Sequence, residues 1–194
     1  NLLISRTGWS SEFGYEIFLL NSNDGDEVYE TLMQEGKDLG LHPGHTSTIR
    51  RIEGGMLSYH SDMDINTNPF ELDLDKFIDL EGSFNFIGKD ALIKIKKSGI
   101  KRKQVGLIIE CEKFNGPNTK KWDIFNGNEK IGHVTSAVYS PRLKQNIALA
   151  LVNISCADIN KQLKVKIHNN LVNAVVTEKP FFDPNKLIAK EKTN

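Results

Sequence analysis

The sequence has little cysteine and no long apolar run. Cys111 and Cys156 are the only cysteines among 194 residues, and neither belongs to a C-x-x-C pair. Both lie in apolar, strand-like contexts, so we expect two buried free thiols and no disulfide. No apolar run approaches the roughly 20 residues that a membrane-spanning helix needs, and the N-terminus lacks the basic-then-apolar pattern of a signal peptide. We therefore expect a cytoplasmic protein with no membrane partner.

The sequence also lacks the short motifs that mark the common nucleotide and hydrolase sites. It contains no G-x-x-x-x-G-K-[ST], G-x-G-x-x-G or G-x-S-x-G segment. No motif therefore supports a nucleotide-binding, dinucleotide-binding or serine-hydrolase function. The lysines and arginines of the second half are not interleaved with aromatic residues, which argues against a nucleic-acid partner.

Two segments resemble the start of a metal-binding motif, and each lacks the remaining ligands. His42 and His45 stand two residues apart in "HPGHT", but the proline and glycine between them predict a turn, and no cysteine or acid follows at ligand spacing. The D-x-D-x-N run from Asp62 to Asn66 resembles the start of a calcium loop, yet it lacks the glycine at position 6 and the glutamate at position 12. We therefore expect no metal site.

The charges are divided unevenly along the chain. Residues 1–100 hold 9 Lys and Arg against 17 Asp and Glu, whereas residues 101–194 hold 16 against 8. The two halves therefore carry about −8 and +8, and this shift predicts a domain boundary near residue 100. We expect one domain over residues 1–100, a second over 101–187, and a frayed tail over 188–194.

Helical periodicity is confined to the first half. Helical patterns occur near residues 24–39, 46–53 and 88–99, together with strand signals. The second half is a series of six short β-rich runs separated by turns, from "QVGLIIECE" to "LVNAVVTE". Six antiparallel strands in about 80 residues are typical of a small barrel or sandwich.

One carboxylate lies in an apolar segment. Glu16 is flanked by Tyr15 and Ile17 in "SRTGWSSEFGYEIFL", which predicts a strand covered on both faces with an acid in its middle. A buried carboxylate needs an arginine, backbone N–H groups or a donor-rich ligand as its partner. Trp9 lies close to Glu16 across the turn, and Arg51 on a short helix supplies a fork of donors. The residues alone leave two hypotheses open: a structural Glu16–Arg51 ion pair in the core, or a ligand site.

Several motifs, taken in order, resemble a known family. "SRTGWSSEFGYEI", "RIEGGMLSYHSDMDINTNPFELDLDKFIDLEGSFNFIGKDAL", "IGHVTSAVYSPRLKQNIALALV" and "KPFFDP" are similar to signatures of the glycine-cleavage T-protein (aminomethyltransferase) superfamily of folate-dependent one-carbon transferases. Trp9 and the segments Gly54-Gly55, Ser58-Tyr59 and Asn68-Pro69-Phe70-Glu71 resemble the dimethylsulfoniopropionate demethylase branch most closely. "GHVTSAVYSP" resembles the aminomethyltransferases.

The resemblance implies a fold and a set of site residues. It implies an α+β protein, in which a mixed α/β folate-binding portion is followed by a small antiparallel β-barrel. By the resemblance, Glu16 binds the pterin ring of tetrahydrofolate, Arg51 and Tyr59 complete the folate site, and Trp9 contacts the substrate. A sulfonium donor would be attracted to the indole face of Trp9.

The resemblance also implies a function and partners. The chain is expected to be a fragment of a tetrahydrofolate-dependent methyl or aminomethyl transferase, inactive alone, with its catalytic residues upstream of Asn1. The implied partners are a small-molecule methyl or aminomethyl donor, the missing N-terminal half of the same protein, and a lipoyl carrier protein. Two alternatives remain open: the folate domain of a dimethylglycine or sarcosine dehydrogenase-type flavoprotein, and a non-catalytic folate-binding module.

Overall fold

The structure is a computed structural model that describes residues 1–190. Its first part contains a two-stranded antiparallel hairpin, β1 (Leu2–Ser5) and β2 (Glu16–Leu19), in which Ser5 pairs with Glu16. Three helices follow: α1 (Gly25–Glu35), α2 (Thr48–Glu53) and α3 (Lys89–Ser98). Two short 3-10 turns, Pro69–Leu72 and Asp75–Phe77, lie in the connection between α2 and α3.

The second part is a closed six-stranded antiparallel barrel. Its strands neighbour one another in the order β3-β6-β5-β4-β7-β8. Their bounds are β3 Arg102–Glu110, β4 Trp122–Asn126, β5 Glu129–Ser140, β6 Gln145–Asn153, β7 Gln162–Ile167 and β8 Asn170–Thr177. The predicted β-rich runs all form strands, and the predicted α+β fold class with a small antiparallel barrel is confirmed.

The barrel interior is the main hydrophobic core. Side chains alternate along β3, so that Val105, Leu107 and Ile109 point inward and join Ile124 and Val165 from β4 and β7. This two-residue period is what a strand with one face on the core requires. Closure of the barrel leaves none of its six strands as a free edge.

A second, smaller core joins helix α2 to the outside of the barrel. Ile52 of α2 is fully buried against Val138, Ile147 and Leu149. Ser47 caps the helix, because its hydroxyl accepts from the backbone N–H of Arg50. This contact fixes α2, and the glycines that follow it, against β5 and β6.

The hairpin and the two longer helices are less buried than the sequence patterns predict. Three of the four residues of β2 are exposed, and α1 and α3 contain no fully buried residue. The prediction of a strand covered on both faces is therefore wrong for β2 in this structure. The physical reason is that no third strand or packed layer among residues 1–190 covers the hairpin.

The connection between the two parts is short. Helix α3 ends at Ser98 and β3 begins at Arg102, so the predicted division near residue 100 lies between them; the division itself stays a prediction. Helix α4 (Leu187–Lys190) occupies the start of the segment predicted to be frayed, and residues 191–194 lie outside the described part of the chain. Within residues 1–190, no helix is both long and apolar enough to cross a bilayer.

Candidate functional site

A cavity of about 630 Å³ lies where the segment between β1 and β2 meets the segments that follow α2 and β8. Its volume is in the range of about 300–1,000 Å³ that small-molecule sites occupy. The lining residues come from four stretches of the chain: Arg6, Thr7, Gly8, Trp9, Ser11, Glu12 and Gly14; Gly54, Gly55, Met56, Leu57 and Met63; Leu72, Asp73, Leu74, Lys76 and Phe77; and Lys179, Pro180 and Lys186.

Trp9 forms an aromatic wall of this cavity. Its indole N–H donates to the backbone carbonyl of Leu57 at 3.1 Å, which fixes the ring relative to the chain after α2. The guanidinium of Arg51 lies 5.6 Å from the ring centroid. One face of the indole is therefore already in contact with a cation of the protein.

Arg51 belongs to a buried polar network behind the cavity. Its Nη1 contacts Asp62 Oδ2 at 2.6 Å and the carbonyl of Met56 at 3.3 Å, and its Nη2 donates to Ser136 Oγ at 2.8 Å. The side chains of Arg51 and Asp62 are 6% and 0% exposed. The network therefore connects α2 to strand β5 of the barrel.

Asp62 is the carboxylate that forms an ion pair with Arg51. Its second oxygen accepts from Thr135 Oγ1 at 2.6 Å, and its Oδ2 also accepts from the backbone N–H of Ser58 at 2.9 Å. The hypothesis of a Glu16–Arg51 ion pair is therefore wrong, because the guanidinium is already paired. The first acid of the D-x-D-x-N run is therefore paired with a cation of the protein.

Glu16 lies on the exposed hairpin. Its carboxylate accepts a hydrogen bond from the hydroxyl of Thr7, which is itself a lining residue. Glu16 is exposed and does not line the cavity. The expectation that it is buried is corrected here: β2 carries apolar side chains, but Glu16, Ile17 and Phe18 are all exposed.

Tyr59 and Arg51 also lie outside the cavity lining. Tyr59 is 54% exposed and its ring meets that of His60 edge to face at 4.4 Å. Its backbone forms an isolated bridge with Met63, which does line the cavity. Of the four residues predicted to bind folate or substrate, only Trp9 is a lining residue; the other three contact or adjoin residues that are.

Paired glycines let the chain after α2 approach the turn that carries Trp9. A Cβ atom added to Gly54 would overlap the side chain of Ser11, and Gly55 has a positive φ of 65°. The close approach predicted for this glycine pair is confirmed at Gly54. Lys186 closes the contact, donating to the Gly54 carbonyl and to Ser11 Oγ, each at 3.0 Å.

Both acids that line the cavity are already paired with protein cations. Glu12 contacts Arg142 of the barrel at 2.8 Å. Asp73 contacts Lys103 at 3.2 Å and Lys179 at 3.1 Å. The lining holds more cations than acids, so the cavity carries a net positive charge.

Sequence reasoning missed the lysines of this cavity. Lys179 and Lys186 follow β8, far along the chain from the turn that bears Trp9. The signal was present in "KPFFDPNK", because "KPFFDP" is one of the segments that resembles a family signature. No group of three or more histidine, cysteine or acidic side chains placed to hold a metal occurs among the described residues.

The fold and the cavity define an α+β protein with a closed barrel and a site of small-molecule size. Comparison with known families gives two matches: the GCVT N-terminal domain over residues 1–82 and the glycine cleavage T-protein C-terminal barrel domain over residues 102–183. The chain belongs to the glycine-cleavage T-protein superfamily.

Curated relatives agree with this family. The chain is 38% identical over 186 residues to an aminomethyltransferase of Caldanaerobacter subterraneus, covering 94% of the chain and 48% of the relative. It is 38% identical over 183 residues to an aminomethyltransferase of Prochlorococcus marinus, covering 94% and 47%. The chain thus spans about half the length of the curated relatives it matches.

A solved structure supports the fold. Glycine cleavage system aminomethyltransferase T from Bartonella henselae superposes with a TM-score of 0.79 and 21% sequence identity, over 93% of this chain and 49% of that one. The relatives described here are aminomethyltransferases, and the closer likeness to dimethylsulfoniopropionate demethylase stays a prediction.

Proposed function

We propose that this chain forms the folate-binding part and the C-terminal barrel of a tetrahydrofolate-dependent one-carbon transferase. The observation that carries the proposal is the cavity beside Trp9, built from the same segments that resemble the family signatures. Tetrahydrofolate combines a flat pterin, an aromatic spacer and an anionic glutamate tail. An aromatic wall, a volume of about 630 Å³ and a net positive lining suit that combination.

Glu16 is proposed to bind the pterin at the open side of the cavity. One of its oxygens accepts from Thr7, and the other has no protein donor among residues 1–190. A carboxylate offers two acceptors to the 2-amino group and ring N–H of a pterin. Arg51 and Tyr59 are proposed to complete the folate site with Glu16. In this structure the guanidinium of Arg51 lies against the ring of Trp9, and the backbone of Tyr59 forms a bridge with that of the lining residue Met63.

When bound, tetrahydrofolate would accept the one-carbon unit. The part played by the chain is to hold and orient the ligand, because catalysis of this transfer depends on alignment and electrostatics. The donor is proposed to be an aminomethyl or methyl compound, the former bound to a lipoyl carrier protein. Contact with Arg51 leaves one face of the Trp9 indole for a cationic donor such as a sulfonium.

The exposed hairpin is proposed to pack against the N-terminal half that the relatives carry. Apolar side chains lie exposed on both strands: Leu2, Leu3, Ile4, Ile17 and Phe18 are each 39–59% exposed. Contiguous exposed apolar residues mark interaction surfaces. We therefore propose that the chain alone binds folate without turnover. The cytoplasmic location expected from the sequence stays a prediction.

The test is calorimetric titration of the protein with tetrahydrofolate. Glu16→Gln is expected to weaken binding at least about tenfold, or about 1.4 kcal/mol, because an amide presents only one acceptor to the pterin donors. The matched control is Glu30→Gln, an exposed glutamate on α1 that does not line the cavity.

Two outcomes distinguish a failure of the role of Glu16 from a failure of the whole folate site. An unchanged affinity for Glu16→Gln would contradict the role of Glu16, and no binding by the unsubstituted protein would contradict the folate site as a whole. Turnover assays follow, with tetrahydrofolate, a panel of sulfonium and N-methyl donors, and the N-terminal half of a relative. Folate binding without transfer from any donor would favour a non-catalytic module, and transfer only alongside an upstream flavin module would favour the flavoprotein alternative.

A further inference from the structure

Arg142 is held by the barrel beside the cavity and does not line it. It lies in the turn between β5, which ends at Ser140, and β6, which begins at Gln145. The backbone N–H of Leu143 donates to Ser140 Oγ at 3.0 Å, which fixes this turn. Because Ser140 and Gln145 are paired within the closed barrel, the barrel determines where Arg142 lies.

The guanidinium of Arg142 contacts three separate segments that build the cavity wall. Its Nη2 donates to Glu12 Oε1 at 2.8 Å, and Glu12, between β1 and β2, itself lines the cavity. Its Nη1 lies 3.5 Å from Oε2 of Glu53, the residue before the paired glycines that follow α2. Its Cζ lies 4.1 Å from the centre of the Phe182 ring, two residues after the lining residue Pro180. One side chain of the barrel therefore joins all three segments.

Glu53 holds one end of this guanidinium in place. The side chain of Glu53 is 3% exposed, and its Oε1 accepts from Ser140 Oγ at 2.5 Å. A buried carboxylate is costly unless it is paired with a cation and hydrogen-bonded, and Arg142 is the cation that contacts it. The backbone carbonyl of Glu53 also accepts from the N–H of Phe182 at 3.1 Å. Arg142 is thus oriented by a buried partner, with its second amino group directed at Glu12.

Residues 7–14, the Trp9 turn, depend on side-chain contacts for their position. Among residues 1–190, no backbone-to-backbone hydrogen bond connects the Trp9 turn with α2, the barrel or the segment after β8. Side chains provide three connections instead: Trp9 with the carbonyl of Leu57, Ser11 with Lys186, and Glu12 with Arg142. Of these three, the contact with Arg142 is the one that reaches the barrel.

We propose that Arg142 is a positioning residue of the cavity. It determines where the Trp9 turn lies relative to the paired glycines and the segment after β8, and it acts through Glu12 without contacting the ligand. The identity of the ligand rests on the proposed function, whereas the position of the turn does not. Loss of Arg142 should therefore release the Trp9 turn while the barrel stays folded.

The first measurement is the fluorescence of Trp9 in the ligand-free protein. Trp9 and Trp122 are the only tryptophans, so Trp122→Phe leaves one indole and keeps an aromatic ring against Phe114. In that background, Arg142→Gln is expected to shift the emission of Trp9 to the red and to increase its quenching by acrylamide, because a released turn exposes the indole more. Lys144→Gln is the matched control, since it removes the same charge from the same barrel turn and lies outside the cavity lining.

A double variant separates positioning from folding. Arg142→Gln leaves the buried Glu53 without its cation, which lowers stability. Glu53→Gln removes that uncompensated charge and can still accept from Ser140. Arg142→Gln with Glu53→Gln is therefore expected to resist urea better than Arg142→Gln alone. It is expected to keep the red-shifted emission and the increased quenching, because the contact with Glu12 is still missing.

The second measurement is calorimetric titration with tetrahydrofolate. Arg142→Gln, alone or with Glu53→Gln, is expected to bind about three- to tenfold more weakly than the unsubstituted protein, because the released turn must be ordered again when the ligand binds. Lys144→Gln is expected to bind as tightly as the unsubstituted protein.

Release of the Trp9 turn in both Arg142 variants, together with weaker binding, supports the proposal. Quenching of Trp9 in the double variant equal to that in the Trp122→Phe background overturns it, and so does a released turn with unchanged affinity. If the unsubstituted protein does not bind tetrahydrofolate, the proposed function fails, and the fluorescence still decides whether Arg142 positions the turn.

Discussion

Replacing Arg51 by methionine should unfold the protein more readily, because it leaves a buried acid without its cation. The guanidinium lies 2.6 Å from Asp62 Oδ2, and the side chains are 6% and 0% exposed. Removing one partner of a buried ion pair costs about 3–5 kcal/mol. A domain of ordinary stability has about 5–15 kcal/mol in total, so Arg51→Met should lose a large part of it.

The assay is urea-induced unfolding followed by circular dichroism. Arg50 is the matched control, since it is the neighbouring residue on the same helix and its side chain is exposed; Arg50→Met should change the free energy of unfolding by less than about 0.5 kcal/mol. The double variant Arg51→Met with Asp62→Asn should be more stable than Arg51→Met alone, because the uncompensated charge is removed with its partner.

The same experiment distinguishes a structural arginine from one that only binds ligand. If Arg51→Met keeps its full stability but loses tetrahydrofolate affinity, the guanidinium faces the ligand and the buried network described here is incorrect. A large loss of stability that Asp62→Asn partly restores is the result the structure predicts.

Two further predictions concern backbone packing and pH. Gly54→Ala should destabilise the protein by about 1–3 kcal/mol, because the added Cβ would overlap Ser11; Gly44→Ala, which has open space around it, should change its thermal midpoint little. Burial and nearby basic side chains lower the pKa of His133. Stability should therefore fall as pH drops below about 6.5 and the unfolded chain takes up the proton first. His133→Gln should flatten this dependence in thermal melts at several pH values, and exposed His42→Gln should not; a slope unaffected by His133→Gln would refute the assignment.

The barrel was predictable because its signals are local. Each strand of β3 to β8 carries its own two-residue alternation, and turns such as the one at Asn126-Gly127 are encoded by the residues that form them. Ser47 as a helix cap follows from the same kind of local chemistry. Neither inference needs knowledge of distant parts of the chain.

The partners of charged residues were not predictable from the positions of those residues in the sequence. Arg51 was proposed to meet Glu16 or a ligand, yet it pairs with Asp62, eleven residues away, and with Ser136 of the barrel. Which of several acids reaches a buried guanidinium depends on how α2 packs on β5, and no periodicity records that packing. The prediction that Glu16 is buried was wrong for a related reason. An apolar strand pattern indicates that a face of the strand is covered, but it does not show that the covering residues lie in the same chain.

The position of the cavity lysines was also not predictable from the sequence. Lys186 reaches the turn at Trp9, and Lys179 joins it in the cavity lining, because the chain after β8 returns to the first part of the molecule. A signature resemblance in "KPFFDP" pointed to that segment. Only the structure shows that it closes the cavity.

A crystal structure of the protein with tetrahydrofolate tests the proposed folate site most directly. The proposed function predicts ligand density within the cavity, with the pterin near Trp9 and Glu16. Density for the ligand elsewhere on the molecule, with the cavity unchanged at saturating tetrahydrofolate, would contradict it.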